Sequence, residues 1–249
     1  PRASLIVALL GFVLSFQSLH AKETIQWLWF DQAPYFMGKD PSSGRGVGDQ
    51  LTRYFQENLP EYDHQNVKVN AVRYNAMIQN ENVCVPVAWL TDNERKFLVK
   101  SRAHTIEPPA GIYVHKDKLE SFGKAGELLS LEKLLENRNL KLGTLRGMEY
   151  SPVVDKLLAQ NEGQKNLLVI DTPMVEIDLK LLKLNRLDYL LGLPTQIKSL
   201  SQPGTESEYQ FFNISEINSF LPMYTHCSNS ESGKNIISKL NNLLTAEYM

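Results

Sequence analysis

The stretch from Asn82 to Phe97 begins with apolar residues on alternate positions, Val83, Val85, Val87 and Trp89, and then turns into a polar run containing Asp92, Glu94 and Arg95. A guanidinium delivered at the end of a strand can grip a carboxylate with two parallel hydrogen bonds, and it stays charged at any physiological pH. The alternative is a surface arginine paired with Asp92 or Glu94, which contributes little. A second candidate is Arg146-Gly147-Met148-Glu149-Tyr150-Ser151. A glycine turn feeding a helix exposes free backbone N–H groups at a positive dipole end, a ready anion site, to which Arg146 adds charge and Tyr150 a ring or hydroxyl. On spacing alone the same run reads as an ordinary strand-to-helix connection. Arg73, after the second apolar stretch, is a further cation. Acid–base chemistry would need a poised carboxyl, and Glu107 and Glu149 are the nearest suspects. The five histidines show no metal-ligand spacing, and neither zinc-type cysteine pairs nor a G-x-S-x-G elbow occur, so no metal or cofactor is expected. Gly44-Arg45-Gly46-Val47-Gly48 lacks the Lys-Ser/Thr of a phosphate loop and reads as a flexible loop.

The chain that must position these groups has 249 residues, enough for one large domain or two modest lobes. A composition of 43% hydrophobic and 22% charged residues is that of an ordinary soluble globular protein. The net charge of −2 argues against a basic face for nucleic acid or anionic membrane. Arg2 is followed by an apolar run from Ala3 to Phe16 and then by QSLHA. That order, with an apolar run too short to span a bilayer, predicts a secretory signal peptide over residues 1–21, against the alternatives of an uncleaved anchor or a buried N-terminal helix. Export changes the reading of Cys84 and Cys227. In an oxidising compartment an isolated pair more often bridges than remains as two buried thiols.

Short apolar strands alternate with amphipathic helices, which argues for α/β architecture. Strands are expected over 24–30, 67–72, 83–90, 111–115, 140–144, 167–170, 188–193 and 220–227. Helices are expected from 48 to about 59 and over 74–80, 128–137, 151–160, 174–185 and 232–248. Two sets of β/α units are separated by Pro108-Pro109, which no helix interior accepts. That division suggests two lobes, although one large doubly wound sheet would read much the same way.

The order of these features resembles the periplasmic solute-binding proteins of the amino-acid type, the two-lobed clamshell class known as type II. The resemblance rests on Ala33-Pro34-Tyr35 after the first strand, Gly46-Val47-Gly48-Asp49 opening a helix, and Glu94-Arg95 followed by a Ser101-containing segment. It continues with Leu142-Gly143-Thr144-Leu145-Arg146-Gly147 and Asn185-Arg186-Leu187-Asp188-Tyr189. Leu59-Pro60-Glu61-Tyr62-Asp63-His64, Val83-Cys84 and Trp89 are similar to an uncharacterised Gram-negative branch of that class.

What the resemblance implies is a clamshell with two crossover strands. Lobe 1 would comprise residues 22–112 and 223–249, and lobe 2 residues 113–222. Both cysteines then fall in lobe 1, where a bridge would tie the returning tail to the lobe it completes. The implied ligand set is Arg95, Phe30, Asp31, Tyr35, Trp89 and Arg73 from lobe 1 with Arg146, Gly147, Met148, Glu149 and Tyr150 from lobe 2. The implied partners are a small molecule and an ABC permease or membrane sensor, and the implied state is a periplasmic monomer that is not an enzyme. One departure stands out: the family's acidic anchor for a ligand ammonium falls near Leu193 here, with Asp31, Glu107 and Glu149 as substitutes. Alternatives are an enzyme on the same scaffold, of dehydratase or cell-wall lyase type, and a non-binding interaction module.

Overall fold

The computed structural model describes residues 21–79, 82–89, 96–146, 148–170, 175–200 and 208–245. The expected signal segment, Arg95 and Gly147 lie outside the described residues. Two five-stranded mixed sheets, each with helices on its faces, make a two-lobed α/β molecule.

The first sheet contains β1 (Thr24–Trp29), β2 (Asp63–Lys68), β3 (Val83–Ala88), β4 (Leu98–Glu107) and β10 (Leu221–Ser228), in the spatial order β2-β1-β3-β10-β4. β1 runs parallel to β2 and β3, whereas β10 is antiparallel to both β3 and β4. The second sheet contains β5 (Gly111–His115), β6 (Leu142–Leu145), β7 (Leu167–Ile170), β8 (Tyr189–Gly192) and β9 (Tyr209–Asn213), in the order β7-β6-β8-β5-β9. β5 is antiparallel to β8 and β9, and the other pairs are parallel. The two sheets are therefore built alike. Each crossing leaves an edge strand, β4 or β9, and enters the other sheet between two of its strands.

Helices α1 (Val47–Asn58), α2 (Ala71–Met77) and α7 (Glu231–Leu243) belong to the first lobe. Between its sheet and α1 and α7 lie Trp27, Phe55, Cys84, Cys227, Ile236 and Leu240; the opposite face buries Leu28, Val67, Ile78, Val83 and Val85. Helices α3 (Leu131–Glu136), α4 (Pro152–Gln160), α5 (Val175–Lys183) and α6 (Pro194–Leu200) belong to the second lobe. Its core is formed on one face by Ile112, Leu131, Leu142, Tyr189, Leu191 and Phe212, and on the other by Tyr113, Leu182 and Leu190. Trp89 packs against the cores of both lobes.

Pairing places Gly111 and Ile112 in the second sheet and Leu221 and Pro222 in the first. The change of sheet thus falls at Pro108–Ala110 and between Asn213 and Leu221, two residues before the expected joints at 112/113 and 222/223. The second strand is Asp63–Lys68 rather than 67–72, because it is an edge strand whose polar residues can face water and pair in register with β1. The Asn70 side chain then accepts the Arg73 N–H and draws Val72 into α2. Ser130 caps α3 in the same way and starts it at Leu131, while Leu129 instead bridges to Ile214. The expected strands and helices are otherwise present with ends moved by a few residues, and β4, α6 and β9 are additional.

Cys84 and Cys227 are bonded, as directly opposed residues of β3 and β10. The bridge ties the returning strand to the lobe it completes. Closing a sequence separation of 143 contributes roughly 3–5 kcal/mol by constraining the unfolded chain.

Strands β4 and β10 carry two imidazoles, His104 half-buried and His226 fully buried. Thr225 donates its hydroxyl proton to the Pro86 carbonyl, 2.8 Å away. His104 Nε2, at 3.1 Å from Thr225 Oγ1, is therefore the donor of that contact. Burial pushes the pKa of His104 down to about 4. His226 is fully buried, and both its ring nitrogens lack a hydrogen-bond partner among the described residues. Burial, with the neighbouring charges of His104 and Lys100, pushes it down to about 3.

Replacing both cysteines with alanine is expected to lower unfolding free energy by roughly 3–5 kcal/mol, measured by denaturant titration. The histidines predict acid lability. Unfolding returns His226 to an ordinary pKa near 6.5, so the unfolded chain binds the extra proton and stability falls as pH drops below that value. By pH 5 the loss from His226 alone is about 2 kcal/mol. His226→Leu should flatten that part of the pH–stability curve.

Candidate functional site

The parallel strands β1, β2 and β3 end together in Trp29, Lys68 and Ala88, and β4 runs the same way to Glu107. In the second lobe the carboxyl ends of β6, β7 and β8 carry Leu145, Ile170 and Gly192, and Gly111, where the chain enters, pairs with Gly192. Both carboxyl edges therefore adjoin the crossings, and such edges are where open α/β sheets hold ligands.

On the first lobe, the segment between β1 and α1 is folded back on the start of α1. Tyr35 carbonyl accepts from the N–H groups of Gly48 and Asp49, at 2.7 and 3.3 Å. Asp49, fully buried, accepts through Oδ2 from Met37 N–H and Gly46 N–H, both at 2.8 Å. Arg53, one turn further along α1, reaches the carbonyls of Pro41 and Gly44 at 2.6 and 2.7 Å. Glycine is required here by close approach: a Cβ on Gly44 would lie 2.1 Å from Asp49 Oδ2, and one on Gly46 would lie 2.2 Å from Tyr35 carbonyl oxygen. The glycine-rich run expected to be a flexible loop is thus a pinned collar, organised by one carboxylate and one guanidinium.

The collar aims Tyr35 at the crossing. Its side chain is 5% exposed, and its hydroxyl donates to Glu107 Oε2. Glu107, the last residue of β4, is 1% exposed. Its other oxygen accepts from Thr195 Oγ1 of α6, in the opposite lobe, at 2.6 Å, and Thr195 N–H donates to the same carboxyl. Burial raises the Glu107 pKa, against the hydrogen bonds from Thr195 and Tyr35, which lower it. Tyr35 and Tyr113 are both pushed up by burial, with the neighbouring Glu107 adding to the effect.

Phe30, Asp31 and Arg73 gather around the ends of β1 and β2. The Phe30 ring lies 5.3 Å from that of Tyr74; Asp31 is exposed and paired with Lys68 at 2.8 Å; and Arg73 Nη1 reaches the Lys68 carbonyl at 3.2 Å. Trp89 stands on the same edge, half-buried between the two lobes. On the second lobe, Arg146 and Glu149 are exposed and Met148 is half-buried against the core. Tyr150 lies inside the lobe, 2% exposed, with its hydroxyl 3.3 Å from both Thr144 Oγ1 and the Leu191 carbonyl. At the start of α4, Ser151 Oγ caps the helix by accepting from Val154 N–H, and Asp155 accepts from Tyr150 N–H. Asp155 also sets a carboxylate against the positive helix end, so Arg146 supplies the positive charge of this turn. Leu193 is 1% exposed in the core, and the polar group that this segment presents comes two residues later, at Thr195.

Thr195 is the site residue that sequence reasoning missed. The available signal was Gly192-Leu193-Pro194-Thr195, a strand end followed by a proline suited to the first position of a helix. Among the described residues no group of three or more His, Cys, Asp or Glu could hold a metal ion.

No protein-family model matches the sequence, and no curated protein sequence matches it either. Solved structures do match in fold. An ancestral arginine-binding protein bound to arginine superposes with a TM-score of 0.65 at 15% identity, over 90% of this chain and 92% of the other. An amino acid ABC transporter substrate-binding protein from Streptococcus pneumoniae, bound to L-arginine, gives 0.63 at 11% identity, over 90% and 87%. The periplasmic VFT2 domain of Bordetella pertussis BvgS gives 0.60 at 11% identity, over 90% and 87%. The chain has the two-lobed fold of these binding proteins.

Asp49→Ala would leave the buried N–H of Gly46 and the part-buried N–H of Met37 without their acceptor. The expected cost is roughly 2–4 kcal/mol of unfolding free energy, read by denaturant titration.

Proposed function

We propose that this protein is a periplasmic solute-binding protein whose lobes close on a small anionic or zwitterionic molecule, amino-acid-like or an organic acid. Occupancy would then be passed to an ABC permease or a membrane sensor. The observation that carries this reading is the meeting of two carboxyl edges across a double crossing, with Arg73 and Trp89 on one edge and Arg146 on the other. Arg95, six residues beyond Trp89, is assigned the grip on a ligand carboxylate. Solute contacts to both lobes would favour the closed arrangement, and closure is the signal.

Three further points support it. The apolar run Ala3–Phe16 fits export, and the Cys84–Cys227 bridge fits an oxidising compartment. Leu193 is buried where an acidic anchor for an ammonium group was expected, which favours recognition of the anionic end of the solute. Finally, Glu107 has both oxygens engaged by Tyr35 and Thr195, which favours binding over acid–base catalysis. Phe30, Asp31, Met148 and Glu149 stay in the proposed ligand set; Tyr35 is engaged by Glu107, Tyr150 is buried within the second lobe, and Gly147 lies outside the described residues.

A thermal-shift screen of the purified mature protein against amino acids, organic acids and small peptides is expected to give a stabilising hit. Saturation at 100 times Kd adds about 2.7 kcal/mol. Arg95→Ala should abolish that shift; an unchanged shift in the variant would remove Arg95 from the site.

A further inference from the structure

Glu107 stands where the chain leaves the first sheet, and donors from both lobes converge on it. Tyr35 hydroxyl comes from the collar of the first lobe; Thr195 hydroxyl, at 2.6 Å, and Thr195 N–H come from α6 of the second. We propose that this cluster is a latch that holds the two lobes together without a bound solute, and that a proton on Glu107 tightens it.

The chemistry of the three groups carries the argument. As a carboxylate, Glu107 satisfies all three donors but holds a charge in a site that is 1% exposed. As a neutral acid it keeps every contact. Oε1 still accepts from Thr195, the acid O–H donates to Tyr35 Oη, and Tyr35 turns its own proton to Thr195 Oγ1, with which it is also in hydrogen-bond contact. The result is a closed ring of hydrogen bonds with no buried charge. Parting the lobes removes Thr195 and returns the carboxyl to water, where ionisation costs nothing.

Closing therefore takes up a proton. The Glu107 pKa is raised by burial in the closed arrangement, so the latch is at full strength below the ordinary carboxylate range and weakens as pH rises through the raised value. The groups that face Glu107 among the described residues do not reverse this sign. Tyr35 and Tyr113 are both pushed toward the neutral phenol, Thr195 does not titrate, and the strand partner Leu221 is apolar.

The inference concerns the empty protein, so its failure and that of the proposed solute site are separately visible. In the full mature chain with its disulfide intact, spin labels at the exposed positions Lys39 and Lys156, one on each lobe, report inter-lobe distance by pulsed electron resonance. Between pH 5 and 8 the folded protein keeps His104 and His226 neutral, since their pKa values lie at about 4 and 3. The wild type is expected to give its shortest distance at the acid end of this range and longer distances as pH rises. Glu107→Gln, whose amide accepts from Thr195 and donates to Tyr35, should hold the shorter distance throughout. Thr195→Val and Tyr35→Phe should give the longer distance at every pH, and Thr195→Ser should restore wild-type behaviour; circular dichroism confirms that each variant is folded. A wild-type distance independent of pH and shared by Glu107→Gln, one that lengthens in acid, or Thr195→Val distances equal to wild type would each overturn the latch.

Discussion

The structure depends on an exchange of strands. β10 arrives from the second lobe and hydrogen-bonds to both β3 and β4; without it β4 would have no partner in the first sheet. β5 does the same service between β8 and β9. Because the crossing segments enter as interior strands rather than edges, both ends of each crossing are anchored by ladders of hydrogen bonds. Relative motion of the lobes is confined to the few residues between sheets. The cores beside the crossings reinforce this, with Trp89 shared by both and Cys84 bonded covalently to the incoming strand.

That anchoring gives Glu107 its unusual setting. A carboxyl at the end of an edge strand would ordinarily face water. Here the collar around Asp49 brings Tyr35 over it from one side and Pro194-Thr195 closes it from the other. Position in the fold, rather than a nearby cation, is what perturbs this acid: burial is the largest influence on it, and the hydrogen bonds only moderate the effect.

Much of the fold was legible in the sequence because its signals are local. Val83, Val85 and Val87 announced a buried strand, and Ile236, Ile237 and Leu240 an amphipathic closing helix. β4 was missed because Lys100, Arg102 and His104 interrupt the near-continuous apolar run that a strand covered on both faces would show; an edge strand tolerates them. β2 was displaced for the same reason, since Asp63, Gln65 and Asn66 carry no periodic signal and only the register with β1 makes them a strand. The site was less legible than the fold. Asp31, Arg73 and Trp89 are legible as members of one edge once the strands are placed. The contact of Tyr35 with Glu107 joins residues 72 positions apart, and that of Thr195 with Glu107 joins residues 88 apart. No spacing rule reaches such pairs. Tyr150 shows the reverse case, a residue type suited to a ligand that packing has taken for the core.

The position of β10 also orders events as the chain emerges. The second sheet is made from one continuous stretch, Gly111 to Asn213, and can be completed while the first is still unfinished. The first sheet waits for Leu221–Ser228, which follows every strand of the second sheet in the chain, and until then β4 is an exposed edge with no neighbour on either side. Contacts so distant in sequence form late. The nascent protein therefore passes through a half-built stage that presents an open strand edge, a condition in which a chaperone, or another unfinished copy, has something to hold.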